Sequence, residues 1–286
     1  MSPTVSDRQP KKPGQIKEIT SLANPIIKDI KTLSQKKKRD ETGTFMAEGL
    51  KLVIDALELG WTIHILVYAL EARGKPLVEQ VSKQALAQGA LVLEVSDKVI
   101  ASVTRRDNPQ MVVGIFETRW RDLETITPQK DETYLALDRV RDPGNLGTII
   151  RTADAAGVSG VILIGETTDP FSLETVRATM GSVFAMPVSR TTPEAFLRWQ
   201  EKCGAKLVAT HLEGSVDYRS IRYDDQPIVL LMGNEQQGLA PQLAEKADAL
   251  ARIPQVGRAD SLNLAVATAV ILFEARRHLL TLDKRA

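Results

Sequence analysis

Apolar positions along this 286-residue chain recur at two periods. After Asn24-Pro25, a capping side chain followed by a proline suited to the first helical position, Ile26, Ile27, Ile30 and Leu33 share one helical face. Leu50, Val53, Ile54 and Leu57 repeat that spacing until Gly60 stops the helix. Short β-rich runs lie at 63–68, 91–95 and 111–116, with helices expected at 77–88, ended by Gly89, and from Ser96-Asp97. A second alternation starts at Thr133. It predicts strands at 134–137, 161–164, 185–188, 206–210 and 228–232, and helices at 146–156, 173–179, 193–203 and 262–280. Strands alternating with helices argue for an α/β fold. The expected organisation is a disordered basic tail at 1–14, an α/β unit at 15–120, a charged linker at 121–132 and a second α/β unit at 133–286.

Composition narrows the class. Hydrophobic residues make up 43% and charged residues 26%, which suits a packed core under a charged surface. No apolar run reaches the roughly 18 residues of a membrane span. Positions 1–14 lack the apolar segment of a secretory leader, so the cytoplasm is the expected location. The single cysteine, Cys203, excludes an intrachain disulfide. Together with the scattered His64, His211 and His278 it offers no metal-ligand spacing, so no metal is expected. Net charge is only +1, yet residues 1–40 hold ten basic against four acidic residues, a local net of +6. Such an arm favours polyanions through counterion release, and it reads equally as a solvated tail with a charged helix end.

Three polar segments interrupt the apolar pattern of the second unit. In the stretch from Leu137 to Ala153, an apolar strand gives way to Asp138-Arg139-Val140-Arg141-Asp142-Pro143-Gly144-Asn145, then a helix carrying Arg151. Gly144 and Gly147 would let backbone approach a ligand closely, and Asn145 could cap the helix or hold a ligand. The segment also reads as a plain strand–turn–helix joint with a surface arginine. Next, Gly233-Asn234-Glu235 follows the apolar run at 228–232 and puts a carboxylate at a strand's carboxyl end, where α/β sheets bind ligands. A turn capped by Asn234 is the plainer alternative. Last, Ser261-Leu262-Asn263 precedes the long helix. Helix capping is the ordinary use of such residues, but Asp260 and Ser261 could both serve, leaving Asn263 surplus. Neither a G-x-x-x-x-G-K-[ST] nor a G-x-S-x-G pattern occurs, which argues against nucleotide hydrolysis and nucleophile-elbow chemistry.

Taken in order, the three segments resemble the signature motifs of the SpoU (TrmH-type) branch of the SPOUT RNA methyltransferases. Ile19 to Pro25, Gly43-Thr44-Phe45-Met46-Ala47-Glu48-Gly49, and Arg177 to Phe184 resemble further family segments. The first two resemble the L30e-like substrate-binding domain of ribosomal members. The resemblance implies an N-terminal L30e-like α/β domain before a SPOUT α/β domain with a trefoil knot. It also implies S-adenosylmethionine as cofactor, ribose 2′-hydroxyl methylation of RNA, and a homodimer with RNA-site residues drawn from both subunits. Asn145, Arg151, Glu235, Ser261 and Asn263 match the family's catalytic-site positions. Thr210, His211, Met232, Gly233, Ile253, Pro254 and Leu262 match its cofactor-binding positions, and His211 reads as a cofactor contact or surface loop rather than a base. Ribosomal RNA is the expected substrate. Transfer RNA and a non-catalytic, RNA-binding ribosome-assembly factor are the alternatives.

Overall fold

The structure, a computed structural model, describes residues 14–104, 109–212 and 216–282. The expected basic tail therefore lies outside the described residues, apart from Gly14. Contacts divide the chain into two units. One runs through Thr118 and includes Phe171–Leu173; the other comprises Arg119–Pro170 and the chain from Glu174 onward.

The first unit contains β1 (Gln15–Ile19), α1 (Pro25–Thr32), α2 (Lys36–Thr42), β2 (Thr44–Glu48), α3 (Leu50–Glu58), β3 (Ile63–Ala69), α4 (Pro76–Ala87), β4 (Leu91–Val95), α5 (Asp97–Thr104) and β5 (Val112–Glu117). Asn24 caps α1 as expected, its Oδ1 accepting the Ile26 N–H at 2.9 Å, and Ile27 and Ile30 are buried. The five strands form one sheet in the order β1-β4-β3-β5-β2. β1, β4 and β3 run parallel, while β5 pairs antiparallel with both β3 and β2. Helix α2 was not anticipated, because its sequence Lys-Lys-Lys-Arg-Asp-Glu-Thr has no apolar stripe. Arg39 instead buries itself and donates to the carbonyls of Leu33 and Ser34 at 2.8 and 3.0 Å, anchoring that helix where α1 ends.

The second unit contains β6 (Thr133–Asp138), α6 (Pro143–Ala155), β7 (Gly160–Ile164), α7 (Leu173–Thr179), α8 (Ser182–Ala185), β8 (Val188–Thr191), α9 (Pro193–Cys203), β9 (Lys206–Thr210), β10 (Val216–Asp217), β11 (Ile228–Met232), α10 (Pro241–Ala244), β12 (Ala249–Arg252) and α11 (Leu264–Arg276). All its strand pairs are parallel, in the order β10-β12-β9-β11-β6-β7-β8. Every residue of β6, β7 and β11 is buried, as expected of parallel strands covered on both faces. One face packs Leu135 and Leu137 of β6 with Ile149, Ile150, Ile271 and Leu272 of α6 and α11. The other packs Tyr134 and Ala136 with Phe196, Trp199 and Leu243. Leu123 and Ile126, from the stretch expected as a linker, are buried in that second cluster, and the Trp199 indole donates to the Ile126 carbonyl at 3.0 Å.

Several element boundaries differ from expectation; helix α6 begins at Pro143 rather than at 146, because Asp142 is its N-cap and proline suits the first turn. The strand predicted at 185–188 is displaced: Ala185 closes a short helix and β8 begins at Val188. Pro187 has no N–H to donate, so the ladder starts after it. The last helix covers Leu264–Arg276 rather than 262–280, because Asn263 is its N-cap.

Strand order sets the functional geometry. From β6 the chain crosses through α6 to β7 on one side; from β11, its other neighbour, it passes through α10 to β12, beyond β9. Connections leaving adjacent strands in opposite directions open a crevice at their carboxyl ends, the usual ligand position in open α/β sheets.

Candidate active site

The polar segments after β6 and β11 and before α11 meet at these carboxyl ends. Asp142 caps α6, its Oδ1 accepting the Asn145 N–H at 2.6 Å, which corrects the expectation that Asn145 could be the cap. The Asn145 side chain is thereby left for other partners. Its Nδ2 donates to Glu235 Oε1 at 3.2 Å, and its Oδ1 accepts from Asn263 Nδ2 at 3.0 Å. Glu235 Oε2 also accepts the Arg141 N–H at 3.4 Å. One side-chain relay, Glu235–Asn145–Asn263, thus links all three segments.

Asn263 is not surplus to capping. Its Oδ1 accepts the N–H groups of Ala265 and Val266 at 2.9 and 3.3 Å, so it caps α11 while its amide nitrogen reaches Asn145. A single amide can do both because it presents an acceptor and two donors. Arg151 and Ser261, the other two expected catalytic residues, are exposed and stand outside the relay. Arg151 follows Asn145 by six residues on α6, roughly 9 Å farther along the axis and about 120° around it.

Six of the seven expected cofactor residues issue from three adjacent strands, and the seventh, Leu262, lies just before α11. β12, β9 and β11 are neighbours, and they end at Arg252, Thr210 and Met232. Ile253 and Pro254, Thr210 and His211, and Met232 and Gly233 therefore emerge along one edge. The His211 N–H donates to the Ala251 carbonyl at 3.0 Å, tying two of these ends together. Thr210 Oγ1 donates to the Leu231 carbonyl at 3.4 Å. Met232 is buried, Ile253 half-buried, and Leu262 is 37% exposed despite being apolar. Apolar side chains among backbone amides and carbonyls are a donor set suited to an adenosine moiety, with a flat apolar base and a hydrogen-bonding edge.

The glycines divide into different tasks. A Cβ on Gly233 would stand 2.5 Å from the Gly238 carbonyl carbon and 2.6 Å from the Leu239 nitrogen, so the 234–238 turn folds directly back onto it. The Asn234 and Gly238 backbones exchange hydrogen bonds of 2.9 and 3.0 Å across that turn. Gly147 is not a ligand approach: a Cβ there would lie 2.4 Å from Ala178 Cβ, so it seats α6 against α7.

Two residues were not singled out from the sequence. Asp138, the wholly buried last residue of β6, accepts from Arg139 Nε at 3.0 Å and Nη2 at 2.9 Å. Those bonds hold the Arg139 guanidinium above its ordinary pKa. The signal was a carboxylate closing an otherwise apolar strand, since a buried charge requires a partner.

Comparison with known proteins places this geometry. Residues 132–273 match the SpoU rRNA Methylase family and residues 24–114 the MRM3-like substrate binding domain. Over 261 residues the chain is 34% identical to the Bacillus subtilis 23S rRNA (guanosine(2553)-2'-O)-methyltransferase RlmP, covering 91% of this chain and 100% of that enzyme. The chain belongs to the SpoU rRNA methylase family. It is also similar to an rRNA methyltransferase from Sinorhizobium meliloti, solved bound to AdoMet. That structure is 70% identical, with a TM-score of 0.89 over 93% of this chain and 99% of the other. The SpoU methyltransferase AviRb from Streptomyces viridochromogenes, in complex with the cofactor AdoMet, is 29% identical, with a TM-score of 0.82 over 92% and 100% of the two chains. As a SpoU protein, the chain has the α/β class and the two-part plan, an N-terminal unit ahead of a SPOUT methyltransferase unit, that the sequence motifs implied.

Proposed function

We propose that this chain transfers the methyl group of S-adenosylmethionine to a ribose 2′-hydroxyl of ribosomal RNA. The observation that carries the reading is the Glu235–Asn145–Asn263 relay, which joins three sequence-distant motifs beside the strand ends suited to an adenosine. Bound there, the cofactor supplies an electrophilic sulfonium methyl. In the transfer an oxygen–carbon bond forms, the sulfur–carbon bond breaks to leave the neutral thioether S-adenosylhomocysteine, and the 2′-hydroxyl proton passes to water. Thr210, His211, Met232, Gly233, Ile253, Pro254 and Leu262 would hold the donor. Asn145 and Glu235 would orient the ribose, with Asn263 and Ser261 completing the polar wall. Positioning of this kind removes a large part of the barrier to a two-reactant step.

Arg151 serves the developing alkoxide and a neighbouring phosphate as a fixed positive charge. A guanidinium holds its proton too strongly to act as a literal base at neutral pH. From the family resemblance, the reading includes a homodimer in which the RNA site draws on both subunits. Val266 and Phe273, 51% and 46% exposed seven residues apart on α11, support such an apolar contact. The family's trefoil knot is part of the same proposal; β11 inserted between β6 and β9, and α11 returning against α6, support it. No helix among the described residues is long and apolar enough to cross a membrane, and an RNA substrate makes the cytoplasm the proposed location.

The test is transfer of labelled methyl from S-adenosylmethionine to separated ribosomal and transfer RNA pools, followed by mapping of ribose methylation. Label in ribosomal RNA is expected; label in transfer RNA alone would reassign the substrate. Absence of cofactor binding would favour the assembly-factor alternative. Arg151→Ala should lower turnover about 100-fold while leaving cofactor affinity unchanged. Undiminished transfer would remove Arg151 from the mechanism.

A further inference from the structure

We infer that Arg139, anchored by the buried Asp138, is a positioning residue that clasps the 233–240 loop over the site; the inference rests on the function proposed above. Asp138 accepts both Arg139 bonds and a third from the Ala240 N–H at 2.9 Å, so its carboxylate is satisfied within the fold. The rest of the guanidinium reaches across to the loop. Nη1 donates to Gln237 Oε1 at 2.8 Å and Nη2 to the Gly238 carbonyl at 3.3 Å, while Asn234 Nδ2 donates back to the Arg139 carbonyl at 2.7 Å. Arg139 therefore engages the loop at three residues and has no hydrogen bond to Asn145, Arg151 or Asn263.

The clasped loop carries both Gly233 and Glu235. Glu235 is exposed, and its own contacts to Asn145 and the Arg141 N–H, at 3.2 and 3.4 Å, are long. They do not fix the carboxylate alone. Two bonds at Arg139 are shorter than these: the charge-assisted one from its guanidinium to Gln237 at 2.8 Å, and the one its carbonyl accepts from Asn234 at 2.7 Å, and together they hold the loop. Backbone geometry supports a dedicated role. Arg139 has φ 52°, the left-handed region that a side chain disfavours and glycine adopts freely. Its stem lies 3.3 Å from where a Cβ on Gly165 would stand, so a larger neighbour there would displace it. A residue kept in a conformation better suited to glycine is kept for its side chain.

This backbone also supplies a clean test. In the full-length protein, Arg139→Gly preserves the turn and deletes the clasp. At a temperature where both proteins are folded, single-turnover methyl transfer at saturating cofactor should fall about tenfold or more, with KM for RNA unchanged. Amide hydrogen exchange at 234–240 should accelerate, and Arg139→Lys should recover part of the rate. Gln237→Ala, which leaves the Asp138–Arg139 pair intact, should produce a smaller loss in the same direction, and it is the deciding variant if Arg139→Gly does not fold. Wild-type rate and wild-type exchange in the deciding variant would overturn the clasp. Should the wild-type protein neither bind S-adenosylmethionine nor methylate RNA, the functional reading fails. Exchange at 234–240 then decides the clasp alone: acceleration upholds it and no change overturns it.

Discussion

At the residue scale, the site depends on side chains and glycines with two demands placed on them. Asn145 looked like a cap or a ligand holder and Asn263 like a spare cap; the structure gives the α6 cap to Asp142 and makes Asn263 both cap and site residue. Sequence could nominate these residues, because polar amides after apolar runs are conspicuous. It could not assign their partners, which lie 90 and 118 positions away along the chain. Gly233 and Gly257 differ in what surrounds them. A Cβ on Gly233 meets backbone at 2.5 Å, whereas nothing stands within 4 Å of one on Gly257. Gly233→Ala should therefore destabilise the fold by about 1–3 kcal/mol and weaken cofactor binding, because backbone must shift to admit the methyl. Gly257→Ala should leave the melting temperature unchanged. Paired thermal melts with and without cofactor check both.

At the element scale, the helices that were legible carried an apolar stripe between recognisable caps, and the legible strands were apolar runs such as β11. Helix α2 had no stripe, β10 is two residues long, and β12 is the alanine-rich Ala249–Arg252, whose composition has little strand preference; the pattern did not announce them. Helix α11 permits a separation of structural from functional effects. Asn263→Ala removes its cap and should cost about 1 kcal/mol. Asn263→Asp keeps the capping oxygen, loses the amide donated to Asn145, and places a second carboxylate near Glu235. We expect it to hold near wild-type stability in a denaturant titration while methyl transfer falls at least as far as in Asn263→Ala. Equal activity in Asn263→Asp and the wild type would detach the Asn145 contact from catalysis.

At the scale of the whole molecule, the strand order β12-β9-β11-β6 gathers the ends of segments scattered over more than a hundred residues into one crevice. A ligand that binds only this assembled site must stabilise the folded state by mass action. S-adenosylmethionine at 100 times its dissociation constant should add about 2.7 kcal/mol to the apparent stability. Calorimetry of the second unit's transition reads this directly, and a melting temperature indifferent to the cofactor would oppose the proposed site.

Periodicity and punctuation determined the two α/β units, most of their elements and the apolar strands of the second sheet, because those depend on each segment's own side chains burying one face or two. The motifs likewise carried the family, since residue types in order are a property of the chain. Strand neighbours, the crevice between β6 and β11, the double duty of Asn263 and the Asp138–Arg139 clasp were decided only by tertiary structure. Each is a relation between segments far apart along the chain, set by how buried sheets and helices pack together and by which buried polar groups must then find partners.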